Sequence, residues 1–529
     1  MVAKACKEEI MPSIEETLSA LVDDLPRGRY TDFVGKPPNA HFESPLNIAS
    51  TESLRFDIEN NHSSKIFLGV VGGKVVTGER LPDGRITRWV ERGIPVGVGD
   101  DRHVGTIAGT RAGKGRSALL PNLALLPPET SIFSIDPKGD NCRLTIDYRA
   151  EVLGQTCHVF DPFGCTGSGT EKYRASYCVV KKLSNSDRAT FVPNAKLIGD
   201  SLIVNDNPYD QHWTDTAKQL VAGLAAHVAT HANYEGKRDL VTVWQLANEL
   251  KTPDPDHPHR FWLQTEMESS DAGDGMVRSS ARQFYDRSGG EFTSVLSNAR
   301  KHLDWISIGC VQDTLRGPSI DFREMKRGSV CIYQSLPAMR KEALRGWTRL
   351  LVQFALASFE EEKESVGPQT VMVLDEFHSL GKLSVLESAI AQLAGLGLKL
   401  WIVLQDLSQL KKSYEKNFET FISNLGLLQV FGCSDNTTLE YVSKRLGNSI
   451  TLTRSTNSTT FDQATKQAAS GDGWSLTSHA LMDMEEISRF FARDDKLLRQ
   501  LVLRPGYHPM ILQRAFYDKH NIFQGRFEG

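Results

Sequence analysis

The chain has 529 residues, 40% hydrophobic and 24% charged, with a formal net charge of −4. That length is too great for one compact core and points to roughly two or three domains, and the composition is that of a folded globular protein rather than a disordered one. The charge balance excludes a global pull towards nucleic acid or an anionic membrane, so any DNA contact has to come from a local patch or a ring interior.

In chain order, residues 1–60 read as an appendage: apolar spacing at Ile14, Leu18 and Leu21 predicts one short helix, closed by Pro26 and Gly28. From Ile66 the text turns to strands and tight turns, IFLGVV, KVVTG and RITRWV around Pro82-Asp83-Gly84, leading into the strand VGTIA (104–108). VGTIA and SIFSI (131–135) are short apolar runs of the buried parallel kind with a helical stretch between them, which makes a βαβ unit. After about residue 195 long helical periodicity takes over (DTAKQLVAGLAAHVATHA, VTVWQLANELK) and continues through an Arg/Ser-rich segment near 278–303. Strands return at SVCIYQSL (329–336), QTVMVLDE (369–376), KLWIVLQ (399–405) and LLQVFGC (427–433), with helices between them. The expected fold is therefore α/β, with a mostly parallel doubly wound sheet and an inserted all-α domain. The expected divisions are 1–60, 61–195, 196–325 (all-α) and 326–529. Residues 453–477, rich in Ser, Thr, Gln and Gly, read as a mobile loop.

Eight scattered cysteines form no C-x-x-C pair and no Cys/His cluster at zinc spacing, which fits reduced thiols in a cytosolic protein. The longest run without Lys, Arg, Asp or Glu, from Gln219 to Tyr234, contains His, Gln and Asn and falls short of the roughly 18–20 apolar residues that span a bilayer. No transmembrane helix and no secretory leader are expected.

Two places carry chemistry. Ala108-Gly109-Thr110-Arg111-Ala112-Gly113-Lys114-Gly115-Arg116 follows a strand and precedes a helix, where small residues let backbone N–H groups converge on phosphate oxygens and Lys114 reaches the β- and γ-phosphates. Against the pattern G-x-x-x-x-G-K-[ST], Ala108 takes the first glycine position and Gly115 replaces the hydroxyl that ligates Mg²⁺; read alone, the loop also fits a glycine-rich helix cap. The second place is the apolar strand ending in Asp375-Glu376: Asp375 can hold Mg²⁺ through water, and Glu376 can activate a water against the γ-phosphate. Gln405, at the end of a further strand, is a candidate γ-phosphate sensor or a plain strand-end residue. Asp136 and Lys138 are either a supporting acid and base or parts of a turn.

The blocks GTRAGKGRSALLPNL, SIDPKGDN, VLDEFHSLGKL, WIVLQDLSQLKKSY and SNLGLLQVFGCSDNTTLEYVSKRLG, in this order, resemble those of the TraG-type coupling proteins of conjugation and type IV secretion. Weaker similarity extends to SVLSNARKHLDW (294–305) and to the C-terminal segments, covering roughly residues 65–518. The resemblance implies a RecA-like P-loop ATPase using ATP and Mg²⁺. It also implies a homo-hexameric ring at the cytoplasmic side of a membrane, delivering relaxase-bound single-stranded DNA or effector proteins to the secretion channel. GKG in place of GK[ST] is frequent in that family. Its members usually begin with transmembrane helices, so this chain is expected to reach the membrane through an anchoring partner. Many also carry an Arg in an R-x-x-G element that acts on the neighbouring subunit's nucleotide; here Ala394 to Gly397 reads AGLG, and Lys399 or Arg445 is the candidate substitute. Without such a cation the resemblance implies a low basal rate. A recruitment scaffold with little hydrolysis, and a cytosolic translocase of the FtsK/HerA group, are the competing readings. For DNA contact the candidates are Arg278, Arg282, Arg287, Arg300 and Lys301, and after the Gln405 strand Lys411, Lys412 and Lys416; ordinary solvated helix faces are the simpler explanation of both groups.

Overall fold

The computed structural model describes residues 40–82, 84–205, 211–287, 289–456 and 472–527. The chain divides into two compact units, residues 1–127 with 401–529, and residues 128–400. The helix expected around residues 14–21 and the middle of the loop expected at 453–477 lie outside the described residues.

The first unit opens on β1 (Ile66–Val71), the hairpin β2 (Lys74–Arg80) and β3 (Ile86–Glu91), then β4 (Ile94–Val98) and β5 (His103–Ala108). Every side chain of β1 and of β5 is buried, as expected for strands covered on both faces.

The second unit holds β6 (Ile132–Ile135), β7 (Thr156–Phe160), β8 (Val330–Gln334) and β9 (Thr370–Leu374), in the order β9-β6-β8-β7 and all parallel. Between β7 and β8 the described residues form helices and no named strand, among them Arg188–Leu202, Gln211–Thr230, Leu240–Glu249, Trp262–Glu268, Met276–Tyr285 and Gly289–Leu303. Their ends follow the sequence: Asp187 and Asp239 cap two of these helices by accepting from Thr190 N–H and Thr242 N–H, each at 2.8 Å.

The chain then passes through β10 (Leu398–Leu404), whose residues 401–404 pair in parallel with β5, into β11 (Leu425–Phe431), parallel to β5 on its other side. The ribbon β12 (Asn448–Thr456) and β13 (Asp472–Ala480) follows, then β14 (Arg499–Leu503) and β15 (Met510–Gln513). In the first unit the order is β4-β1-β15-β14-β11-β5-β10, parallel around β5 and antiparallel from β11 outward to β4. Part of the expected loop is thus strand: residues 453–456 and 472–477 pair across β12 and β13. Among the described residues no helix is long and apolar enough to cross a membrane.

Candidate nucleotide site

Because β11, β5 and β10 are parallel and in register, they end side by side at Phe431, Ala108 and Leu404, and the segments that follow leave from one sheet edge. Glycine at 109 is required by packing, since a Cβ there would lie 1.9 Å from the Gly432 carbonyl oxygen. Arg111 (φ 58°) and Gly113 (φ 91°) take left-handed backbone on either side of Ala112, an alternation of the kind that turns successive N–H groups towards one side, where an anion can be held. Residues 115–119 then form a wide helical turn continued by the helix Leu120–Leu125. Lys114 is half-buried and Gly115 faces open space, with no atom within 4 Å of a Cβ built there. Ser117 does not restore the missing hydroxyl, because its Oγ donates to the Gly113 carbonyl at 3.0 Å.

Side chains of several residues bind this loop to its own unit. Thr110 Oγ1 donates to Gln405 Oε1 at 3.1 Å, which brings the candidate sensor amide against the loop. The Arg116 guanidinium lies 4.4 Å from the Phe516 ring centre and pairs with Asp518 at 2.6 Å. Arg514, fully buried, donates from Nη1 to the Ala112 carbonyl at 2.8 Å and from its other nitrogens to the carbonyls of Leu498, Ala492 and Arg493 at 3.1–3.3 Å. Burial pulls its guanidinium down to about 10, still cationic at neutral pH, so a fixed positive charge backs the loop. Sequence reasoning missed Arg514; the only signal is an Arg directly after an apolar strand, MILQR.

In the second unit, Asp375 and Glu376 follow the fully buried β9. Glu376 is left-handed (φ 56°), its N–H donates to Asp375 Oδ1 at 2.9 Å, and its carboxylate is paired with Lys341, a residue the sequence did not single out. Asp136 follows β6 on the neighbouring strand, where Ile135 is in register with Leu374. Its carboxylate accepts from Gly139 N–H at 3.1 Å and Cys142 N–H at 2.8 Å, which closes a turn and caps the helix Asp140–Asp147, while Lys138 is exposed. Burial, with the charge of Asp375 adding to it, pushes the Asp136 carboxyl up to about 7.

Ala394 ends the helix Ser384–Leu393, and its carbonyl accepts from Gln369 Nε2 at 3.0 Å. Of the two substitute cations, Lys399 is 5% exposed inside β10, whereas Arg445 is exposed in the last turn of the helix Asn436–Leu446. Among the basic candidates for DNA, Arg278 is paired with Asp271 and Arg287 with Glu291. Arg300 caps the helix Leu240–Glu249 through the carbonyls of Ala247 and Asn248, at 3.1 and 2.7 Å. Those three serve the helical region itself; Arg282, Lys301, Lys411 and Lys412 remain exposed.

The sequence pattern described as Type IV secretory system Conjugative DNA transfer matches residues 65–528. The chain belongs to that family. Within it, the chain is 26% identical over 459 residues to a conjugal transfer protein TraG of Escherichia coli, covering 80% of this chain and 68% of the relative. It is 25% identical over 447 residues to protein VirD4 of Rhizobium radiobacter, covering 81% and 59%. Among solved structures, the coupling protein TrwBdeltaN70, unbound, superposes with a TM-score of 0.60 at 16% identity, over 94% of this chain and 99% of that one. TrwB has also been solved with the ATP analogue ADPNP, matching with a TM-score of 0.58 at 15% identity over 91% and 96%, and with ADP and Mg²⁺. The likeness establishes the α/β, RecA-like P-loop fold for this member of the family.

Proposed function

We propose that this chain is the coupling ATPase of a conjugative type IV secretion machine, converting ATP turnover into movement of relaxase-bound single-stranded DNA or effector proteins towards the channel. The observation that carries the reading is the phosphate loop of residues 109–116, curled by Arg111 and Gly113, backed by buried Arg514 and contacted by Gln405. The nucleotide and metal found with TrwB support ATP and Mg²⁺ as the ligands. In this reading the N–H groups of the loop and Lys114 bind the phosphates, with Gly109, Thr110, Ala112 and Gly115 keeping the hollow open and Arg116 at its rim. Asp375 holds Mg²⁺ through water, Glu376 activates the attacking water, and Gln405 reads the γ-phosphate. Asp136 and Lys138 support the acidic strand ends. The motor works as a homo-hexamer, residues 196–325 form the inserted all-α domain, and Arg445, the more accessible of the two substitute cations, reaches the neighbouring subunit's nucleotide.

A nucleotide-binding recruitment scaffold with little hydrolysis is the second reading. It is favoured by Ala394 and by the pairing of Glu376 with Lys341, which occupies the carboxylate that would act as base. ATPase rate with and without single-stranded DNA, over a range of protein concentrations, separates the two. Lys114→Ala is expected to abolish ATP binding, and Glu376→Gln to keep binding while slowing hydrolysis by at least about a hundredfold. Unchanged nucleotide affinity in folded Lys114→Ala protein would remove the basis for both readings.

A further inference from the structure

The helix Gln211–Thr230 carries His227 in its last turn, and His231 follows four residues later, so both imidazoles lie on one side of the chain as it leaves the helix. Glu266, from the helix Trp262–Glu268, faces them: its Oε1 is 3.0 Å from His231 Nδ1 and 3.5 Å from His227 Nε2. One donor atom from each of the three residues lies within 4.8 Å of the other two. A tetrahedral ion with nitrogen and oxygen ligands at about 2.0–2.2 Å has ligand-to-ligand edges of about 3.3–3.6 Å, so the two contacts to Glu266 already approximate two such edges.

A second observation comes from His227 itself. It is 0% exposed; its Nδ1 makes no hydrogen bond, and its Nε2 has only the long 3.5 Å contact to Glu266 Oε1. A buried polar atom left unsatisfied costs about 1–3 kcal/mol, and an ion at Nε2 would answer one of the two. The Tyr234 ring packs edge-on against His227 at 5.4 Å, while His231 and Glu266 are partly exposed and provide a way in. His231 Nδ1 also meets the Asn233 N–H at 3.3 Å, and Asn233 Nδ2 meets Glu266 Oε1 at 3.3 Å; both are long contacts that a metal–ligand bond outweighs.

We propose that His227, His231 and Glu266 bind a divalent transition-metal ion of the Zn²⁺ class, tying the end of the helix Gln211–Thr230 to the helix Trp262–Glu268. Two imidazoles and one carboxylate select borderline ions such as Zn²⁺, Co²⁺ or Ni²⁺ over Mg²⁺, which prefers an all-oxygen octahedron, so this ion is chemically distinct from the one that accompanies ATP. Three protein ligands leave a fourth position, which water can fill.

The test uses the full chain, stripped with a chelator and titrated by calorimetry with ZnCl₂, CoCl₂ and MgCl₂, with the Co²⁺ visible spectrum as a second readout. The expected result is about one Zn²⁺ or Co²⁺ per chain, tetrahedral Co²⁺ absorption, no Mg²⁺ binding at this site, and a rise in unfolding temperature on adding Zn²⁺. His231→Gln and Glu266→Gln, at partly exposed positions, are expected to keep the helical circular dichroism and to weaken Zn²⁺ at least about tenfold. The chain has 14 histidines, so Zn²⁺ binding that persists unchanged in the His231→Gln, Glu266→Gln double variant is adventitious and overturns the proposal. Absence of Zn²⁺ binding to folded wild-type protein overturns it as well, and leaves the cluster as a histidine–carboxylate hydrogen-bonded group.

Discussion

Glycine at position 115 removes the hydroxyl that a phosphate loop ordinarily offers to Mg²⁺, and nothing in the packing demands that glycine, because the space beside it is open. Gly115→Ser is therefore expected to fold normally and to tighten Mg²⁺-dependent ATP binding several-fold, by returning an oxygen ligand to the metal. Nucleotide titrations with and without Mg²⁺ check this; equal Mg²⁺ dependence in both proteins would place the metal away from residue 115. Asp136 gives a pH signature. Its folded carboxyl titrates near 7 against an unfolded value near about 3.9, so between those limits the folded state holds the extra proton. This contribution to stability is complete below about pH 4 and is lost as pH rises through about 7, on the order of a few kcal/mol over the window. Urea unfolding at pH 4, 5.5 and 7 is expected to show that slope in wild type and to show it flattened in Asp136→Asn; parallel slopes would mean the carboxyl is ionised throughout.

The last antiparallel strands do more than close the sheet. β14 and β15 place Arg514 where its guanidinium holds the Ala112 carbonyl from beneath the phosphate loop, with the Phe431 ring 5.2 Å away. Arg514→Met keeps most of the stem but takes the guanidinium donors from the carbonyls of Ala112 and Arg493, while those of Leu498 and Ala492 keep backbone N–H donors, so a loss of about 2–3 kcal/mol in unfolding free energy is expected, with ATP affinity reduced about tenfold or more. Destabilisation with unchanged affinity would show that Arg514 serves the C-terminal strands alone. These strands, like β7, were not legible in the sequence, whereas β5, β9, β10 and β11 were. The difference is physical: TVMVL and KLWIVL are apolar runs with one reading, while RQLVL and MILQ carry Arg499, Gln500 and Gln513, which look like solvent residues and are buried. Gln500 and Gln429 join Thr106 and Trp401 in a hydrogen-bonded network inside the sheet, a partnership between strands far apart in sequence that no local pattern encodes. The candidate phosphate loop and Asp375-Glu376 could be nominated from the sequence because the residue patterns that suggest them are local. Lys341, Arg514 and the His227–His231–Glu266 cluster could not, since each acts on a residue about 35 or more positions away in sequence.

At the scale of the whole molecule, for the ring ATPase proposed above, the decisive residue is one without charge. In a ring ATPase the γ-phosphate of one subunit faces the next, and a cation from that neighbour stabilises charge developing in phosphoryl transfer, so turnover depends on assembly. Ala394 supplies no such charge, Lys399 is enclosed in its strand, and Arg445 is exposed at a helix end. The expectation is a low basal ATPase that rises with protein concentration only if Arg445 acts in trans. Ala394→Arg is expected to raise turnover by at least about tenfold with ATP affinity nearly unchanged, because the added guanidinium meets the transition state and not the ground state. Arg445→Ala is expected to abolish whatever concentration dependence the wild type has. The two substitutions answer different questions: a gain at 394 locates the subunit boundary, and a loss at 445 identifies the working cation. If wild-type hydrolysis is brisk, concentration-dependent and indifferent to both, the boundary lies elsewhere and the finger belongs to another part of the chain.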